Sequence, residues 1–434
     1  SLGEMAAVGG LQRIKVFGSF FKKNPFLPSC PILRPRRPRI SMRAMSKPYP
    51  FRLFANLNAG TPGTVVLPES GFRRARAEIT SWPGYAETPL RDLPAVAAEA
   101  GVATVRLKDE AGRFGLGSFK ALGGAYAVAQ VLGAELARRG VAANAGSAAL
   151  VAGTHAAATR GITVTCATDG NHGRSVAWGA QRFGCACVIF VHATVSQGRA
   201  DAIAAYGAEV RRVPGNYDDA VREAAKVAAA EGWFVISDTS WEGYTTVPVD
   251  VMQGYRVMAE EAARQWAGPP PTHVVIQGGV GGVAAAVSVQ MRATWAPPPL
   301  LVVAEPDRAA CLLASAEAGA PTAIAGDLDT LMAGLACGEP SLLAWQELAR
   351  GAAFFMAVPD EAAVDCMRLL AGQGIVAGES GVAGLAALRL AAADPAARAA
   401  LGLGPDSRVL LFSTEGATDP ELYQRLVGQG AEHG

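Results

Sequence analysis

The sequence predicts an α/β protein: two open, twisted parallel-sheet domains with a ligand in the cleft between them. From about Tyr85 onward, short apolar runs that end in polar turns alternate with Ala-rich stretches of helical period. Strands and helices in alternation give parallel sheets covered on both faces. A chain of 434 residues also exceeds what one core organises, so two domains of roughly 150 to 250 residues are expected. Half of the residues are hydrophobic, which is enough for two cores.

The elements follow in order. Residues 1–48 contain the basic, Pro-rich, acid-free stretch KKNPFLPSCPILRPRRPRISMRAMSK and read as a disordered or accessory arm, with an organellar transit segment as the other reading. Strands are expected at 102–110, 162–170, 187–193, 209–215, 233–237, 273–279, 300–306 and 408–416. Helices are expected at 119–132, 174–182, 196–206, 217–231, 250–266 and 281–293. The Ala/Gly-rich piece 138–161 reads as a surface insertion or loose helix, with His155 solvated. A large domain formed by 49–127 plus 256–434, with a smaller one at 128–255 inserted into it, accommodates this order.

Composition narrows the function. Lys plus Arg number 39 against 38 for Asp plus Glu, a formal charge of +1, so nothing global attracts nucleic acid or an anionic membrane. Polar residues interrupt every long apolar stretch, which argues against a membrane span. The seven cysteines show no CxxC pairing, which fits reduced thiols in a cytosol-like compartment better than a disulfide framework or a zinc site. A small-molecule partner is expected.

Four segments bear chemistry. In RFGLGSFKALGGAYAV, Lys120 starts a helix among Gly, Ala, Phe and Leu, surroundings that push an amine toward its neutral, nucleophilic form, although a lone lysine is usually just exposed. In TCATDGNHGRSVAWGA, Asp169 and Asn171 occupy the turn before a helix and are either caps or site groups, while His172 reads as a packing residue. IQGGVGGVAAAV places four glycines in five residues between a strand and a helix, where successive N–H groups can cradle phosphate. The same loop fits a dinucleotide turn through Gly279, Gly281 and Ala284, with Glu305 as the ribose-binding acid. LFSTEGATDP ends a strand with hydroxyls that can hydrogen-bond a heterocycle without charging it.

A reactive lysine, a phosphate cradle, an Asn-bearing turn and a hydroxyl pair together suit pyridoxal 5'-phosphate (PLP). The order and wording resemble the fold-type II PLP enzymes, the tryptophan synthase β and threonine dehydratase group. Within that group, KDEAGRFGLGSFKALGGAYA, ATDGNHGRSVAWGAQRFG, DTSWEGYTTVPVDVMQGY, AGES and STEGATDP are most similar to diaminopropionate ammonia-lyase. The resemblance implies that Lys120 carries PLP, Asn171 contacts the ring hydroxyl, Gly278, Gly279, Val280, Gly281 and Gly282 bind phosphate through their N–H groups, and Thr414 faces the ring nitrogen. Asp169 stands where general dehydratases of the fold carry Ser, and Asp238 is a second acid at a functional position. A carboxylate beside a substrate with a second amino group attracts that cation and can exchange a proton with it. The implied reaction is α,β-elimination of ammonia from 2,3-diaminopropionate, the alternative being dehydration of serine, threonine or phenylserine. The resemblance also implies acceptance of both enantiomers, with Lys120 serving the L form and Asp169 the D form, and a homodimer. No metal is implied.

Overall fold

The computed structural model describes residues 49–168, 170–215 and 217–428; the arm at 1–48 and Asp169 lie outside the described residues. Eleven strands are described: β1 (Arg52–Ala55), β2 (Leu90–Asp92), β3 (Thr104–Asp109), β4 (Thr163–Ala167), β5 (Ala186–His192), β6 (Glu209–Val213), β7 (Phe234–Val235), β8 (His273–Gln277), β9 (Leu300–Pro306), β10 (Phe354–Val358) and β11 (Arg408–Ser413). They form a seven-stranded sheet of order β1-β10-β9-β8-β11-β3-β2 and a four-stranded sheet of order β6-β5-β4-β7. The described residues belong to one compact unit containing both sheets.

Every strand expected from the sequence is present. The small sheet is wholly parallel, whereas the large one carries an antiparallel strand at each edge, β1 on β10 and β2 on β3. Short antiparallel edge strands on a parallel sheet are common. β8 and β10 are buried at every position, so VVI within HVVIQ and the whole of FFMAV read as continuous apolar runs rather than alternating ones. The stretch 138–161 folds as two short helices, Ser147–Val151 and Ala156–Thr159, and His155 is half-buried.

The sheets place the site through their carboxyl ends. β8 and β11 are neighbours in the large sheet, so the glycine loop after β8 and Thr414 after β11 emerge side by side. β4 and β7 are neighbours in the small sheet, so the turn before Asn171 and the segment reaching Asp238 do the same. The helices Ala121–Arg138, Asn171–Phe183 and Thr246–Gln265 contribute to the main core. Small residues allow this close packing. A Cβ on Gly179 would lie 2.8 Å from Cα of Ala125, and one on Gly254 only 2.0 Å from the Leu122 carbonyl oxygen. No helix among the described residues is long and apolar enough to cross a membrane.

Candidate active site

One cavity, of about 940 Å³ including the solvent at its mouth, is lined by Lys120, Gly170, Asn171, Asp238, Gly278, Gly279, Val280, Gly282 and Thr414. Segments separated by up to about three hundred residues of sequence therefore meet in one place. Gly281 completes the loop, turned toward Ala344, Leu312 and Leu348.

Lys120 immediately precedes the helix Ala121–Arg138 and is held against the end of β11. Ser118 forms an antiparallel bridge with Glu415, and the Phe119 N–H donates to the Thr414 carbonyl at 3.0 Å. Its ammonium donates to Asp238 Oδ2 and lies 5.4 and 5.7 Å from the rings of Phe119 and Tyr255. This corrects the expected charge state. Burial does favour the neutral amine, but the Asp238 carboxylate outweighs it and raises the lysine above its ordinary value. Burial would likewise raise the Asp238 carboxyl, yet the neighbouring His172 ring and Lys120 hold it well below the usual carboxylate range. Asp238 is thus the ion-pair partner of Lys120.

His172 behaves as the packing residue the sequence suggests. Its Nε2 lies 2.7 Å from the Ile236 carbonyl oxygen, which can only accept, so Nε2 carries a proton, and Nδ1 stands 3.7 Å from Asp238 Oδ2. Burial pushes the ring toward its neutral form. The helix it sits on is capped by Thr168, whose Oγ1 accepts from the N–H groups of Gly170 and Gly173 at 3.0 Å each. Asn171 instead donates from Nδ2 to Glu415.

The glycine loop is built for close backbone approach. Gly279 and Gly281 have φ of 59° and 100°, which only glycine adopts without strain. A Cβ on Gly278 would lie 2.8 Å from Leu312 Cδ1 and 2.9 Å from Glu305 Cγ. Two of the five N–H groups expected to hold phosphate are engaged in the fold: Gly278 donates to the Ala304 carbonyl and Gly281 to that of Gly278. The β ladder and the tight turn require those bonds, so among the described residues the N–H groups of Gly279, Val280 and Gly282 are the ones left to a ligand, at the positive end of the helix Gly282–Thr294. Gln277 Nε2 donates to the Thr414 hydroxyl at 2.8 Å. The dinucleotide alternative loses its acid, since fully buried Glu305 accepts from the N–H groups of Leu312 and Leu313 at 2.9 and 2.8 Å and caps the helix Cys311–Ala318.

Several lining groups escaped the sequence reading. Glu415 accepts from Asn171 and from the Ser380 N–H at 2.9 Å. Arg199, from the helix Gln197–Ala204, donates to Glu379 at 2.7 Å. Burial and the Glu415 charge raise Glu379 to about 7 against the pull of Arg199. The segments AGES and STEGATDP held the signal for Glu379 and Glu415, but only as wording.

Comparison with known proteins identifies the group this geometry serves. Residues 81–415 match the family described as pyridoxal-phosphate dependent enzyme. Over 360 residues, 80% of this chain and 88% of the relative, the chain is 41% identical to the diaminopropionate ammonia-lyase of Escherichia coli (strain K12). The chain belongs to the diaminopropionate ammonia-lyase family. The Salmonella typhimurium (strain LT2) member is 38% identical over 365 residues, 80% of this chain and 89% of that one. The crystal structure of the holo diaminopropionate ammonia lyase from Escherichia coli superposes with a TM-score of 0.81 at 37% identity, covering 88% of this chain and 97% of that one. Its complex with an aminoacrylate-PLP azomethine reaction intermediate gives 0.78 at 36% identity, with coverage of 88% and 97%. The residues present fit PLP: a lysine, a glycine cradle at a helix N-terminus and a neutral hydroxyl share one cavity.

Proposed function

We propose that this member of the diaminopropionate ammonia-lyase family catalyses α,β-elimination of ammonia from 2,3-diaminopropionate, giving pyruvate and two ammonia. The observation that supports this most is the Lys120–Asp238 ion pair inside the cavity that also holds the glycine loop and Thr414. PLP, when bound, supplies the electron sink that acidifies the α-proton of an amino acid and allows the β-substituent to leave.

The chain's own residues divide the rest. Lys120 would hold PLP covalently, the N–H groups of Gly279, Val280 and Gly282 its phosphate, and Asn171 its ring hydroxyl. Thr414 accepts from Gln277 and so keeps its own proton to donate to an uncharged ring nitrogen. Displaced by substrate, Lys120 Nζ is the base for the α-proton of the L isomer, and Asp238, already its proton partner, attracts the substrate amino groups. Asp169, which immediately precedes Gly170 and Asn171 in the sequence, is assigned the α-proton of the D isomer. The released three-carbon enamine then hydrolyses to pyruvate and the second ammonia. Dehydration of serine, threonine or phenylserine uses the same groups but gives the second carboxylate no cation to attract.

Side-by-side kcat/KM values for diaminopropionate and these hydroxy amino acids test the reading. Preference for diaminopropionate is expected; equal or better turnover of a hydroxy amino acid reverses it. The division into lobes at 49–127 plus 256–434 and 128–255 belongs to the same reading, supported by the two sheets. So does a homodimer in a cytosol-like compartment: Leu57 and Val65 stand 93% and 79% exposed, apolar surface that a subunit contact would cover. Light scattering at twice the mass of the chain would accord with the dimer.

A further inference from the structure

Glu415 follows the expected ring-nitrogen partner, is 4% exposed and lines the cavity. Its carboxylate spans the two halves of the site. One oxygen accepts from the Ser380 N–H at 2.9 Å and the other from Asn171 Nδ2, across 244 residues of sequence. The fold also makes room for it. A Cβ on Gly378 would lie 2.9 Å from Glu415 Cγ, and one on Gly381 would lie 2.9 Å from the Glu415 carbonyl oxygen and 3.3 Å from its Cγ. Both positions are thereby restricted to glycine, and the Glu415 backbone is fixed further by the Gly378 N–H donating to its carbonyl at 2.9 Å.

The chemistry of this pair is asymmetric. A primary amide presents an oxygen on one side and an NH₂ on the other, and the two orientations are nearly equal in shape. A carboxylate offers acceptors only, so it admits just the orientation with NH₂ toward itself. We infer that Glu415 is a positioning residue that fixes the amide of Asn171 in a single orientation, so that its second N–H is presented to the ring hydroxyl of PLP. The inference rests on the proposed contact between Asn171 and the cofactor. Glutamine at 415 would fill the same space and could still accept, but it could also donate to a flipped Asn171 and thereby release the constraint.

A double-mutant cycle tests this on the full-length holoenzyme and on apoenzyme reconstituted with PLP. Its readouts are the visible absorbance, the PLP dissociation constant, and kcat and KM separately. Glu415→Gln should keep the visible band, because Lys120 is untouched, yet weaken PLP about ten- to a hundredfold, the size of a lost charge-assisted hydrogen bond. Asn171→Ala should weaken PLP at least as much, and the double variant should be no worse than Asn171→Ala alone, because Glu415 acts through that amide. If the two losses multiply, Glu415 acts independently and the inference is overturned. If Asn171→Ala leaves PLP affinity and absorbance unchanged, the cofactor contact itself falls, and the inference with it. Glu415→Asp, a carboxylate drawn back by one methylene, replaces Glu415→Gln in the cycle should the latter fail to fold.

Discussion

The two sheets contribute to the site in different ways. β8 and β10 of the large sheet are buried throughout, and β11 at every position but its first. The glycine loop and Thr414 therefore emerge from backbone packed on both faces. In the small sheet, β6 and β7 have no fully buried residue, and one side of β5 packs on a separate small cluster of Val188, Phe190, Ala220 and Ala224. From this thinner layer come Asn171, Asp238 and Arg199, the groups with polar or charged chemistry. The well-packed half fixes the glycine loop, Thr414, Lys120 and Glu415 in place; the lightly packed half brings up to them the further polar groups Asn171, Asp238 and Arg199. A fully covered sheet can fix N–H groups with precision, and side chains that must meet different substrate atoms tolerate a less covered one.

Substitutions sharpen this contrast, taken from the largest expected effect. Lys120→Ala should abolish the visible absorbance of the holoenzyme and turnover with it, as read by spectrophotometry and by borohydride treatment of the parent protein. Asp238→Asn, on the charge-bearing side, should keep PLP bound but lower kcat about 10²- to 10⁴-fold, the range for loss of a proton-transfer group. Asp169→Asn should depress turnover of the D isomer by a similar factor and spare the L isomer; equal losses on both would make Asp169 a shared binding charge. Gly278→Ala, on the holding side, should chiefly weaken PLP and cost about 1–3 kcal/mol of stability, since its methyl group meets Leu312 and Glu305. A variant of that loop that spared affinity and lowered only kcat would break the division.

The smallest effect concerns pH. Burial raises Glu305 from 4.5 to about 8, against the help of two backbone N–H groups. A carboxyl whose folded-state value is raised contributes stability that is complete below its unfolded value and is lost as pH rises through about 8. Glu379, raised to about 7, acts in the same direction. Thermal unfolding of the Glu305→Gln variant should therefore fall less steeply over that interval than that of the parent chain.

Much of this was legible in the sequence. Strands β3 to β9 and β11 stand out because each apolar run ends at a polar turn, and the helix Tyr217–Glu231 has the bounds the sequence predicts. β10 is not legible, because FFMAV follows ARGAA and precedes PDEAA, so its five apolar residues lie between Ala-rich helical stretches. β1 and β2 are edge strands of four and three residues with little burial to pattern them. At the site, the glycine loop and Lys120 carried local signals. The charge state of Lys120 did not, because it depends on Asp238, 118 residues away. The same holds for Glu415, whose partner Asn171 is distant in sequence and whose own neighbourhood reads as an ordinary strand end.

The most direct measurement is the product ratio from 2,3-diaminopropionate with the purified holoenzyme, pyruvate and ammonia being assayed in the same samples. The account predicts two ammonia for each pyruvate, with both products absent in the Lys120→Ala variant. No pyruvate from either enantiomer, or undiminished pyruvate from the lysine variant, would contradict it.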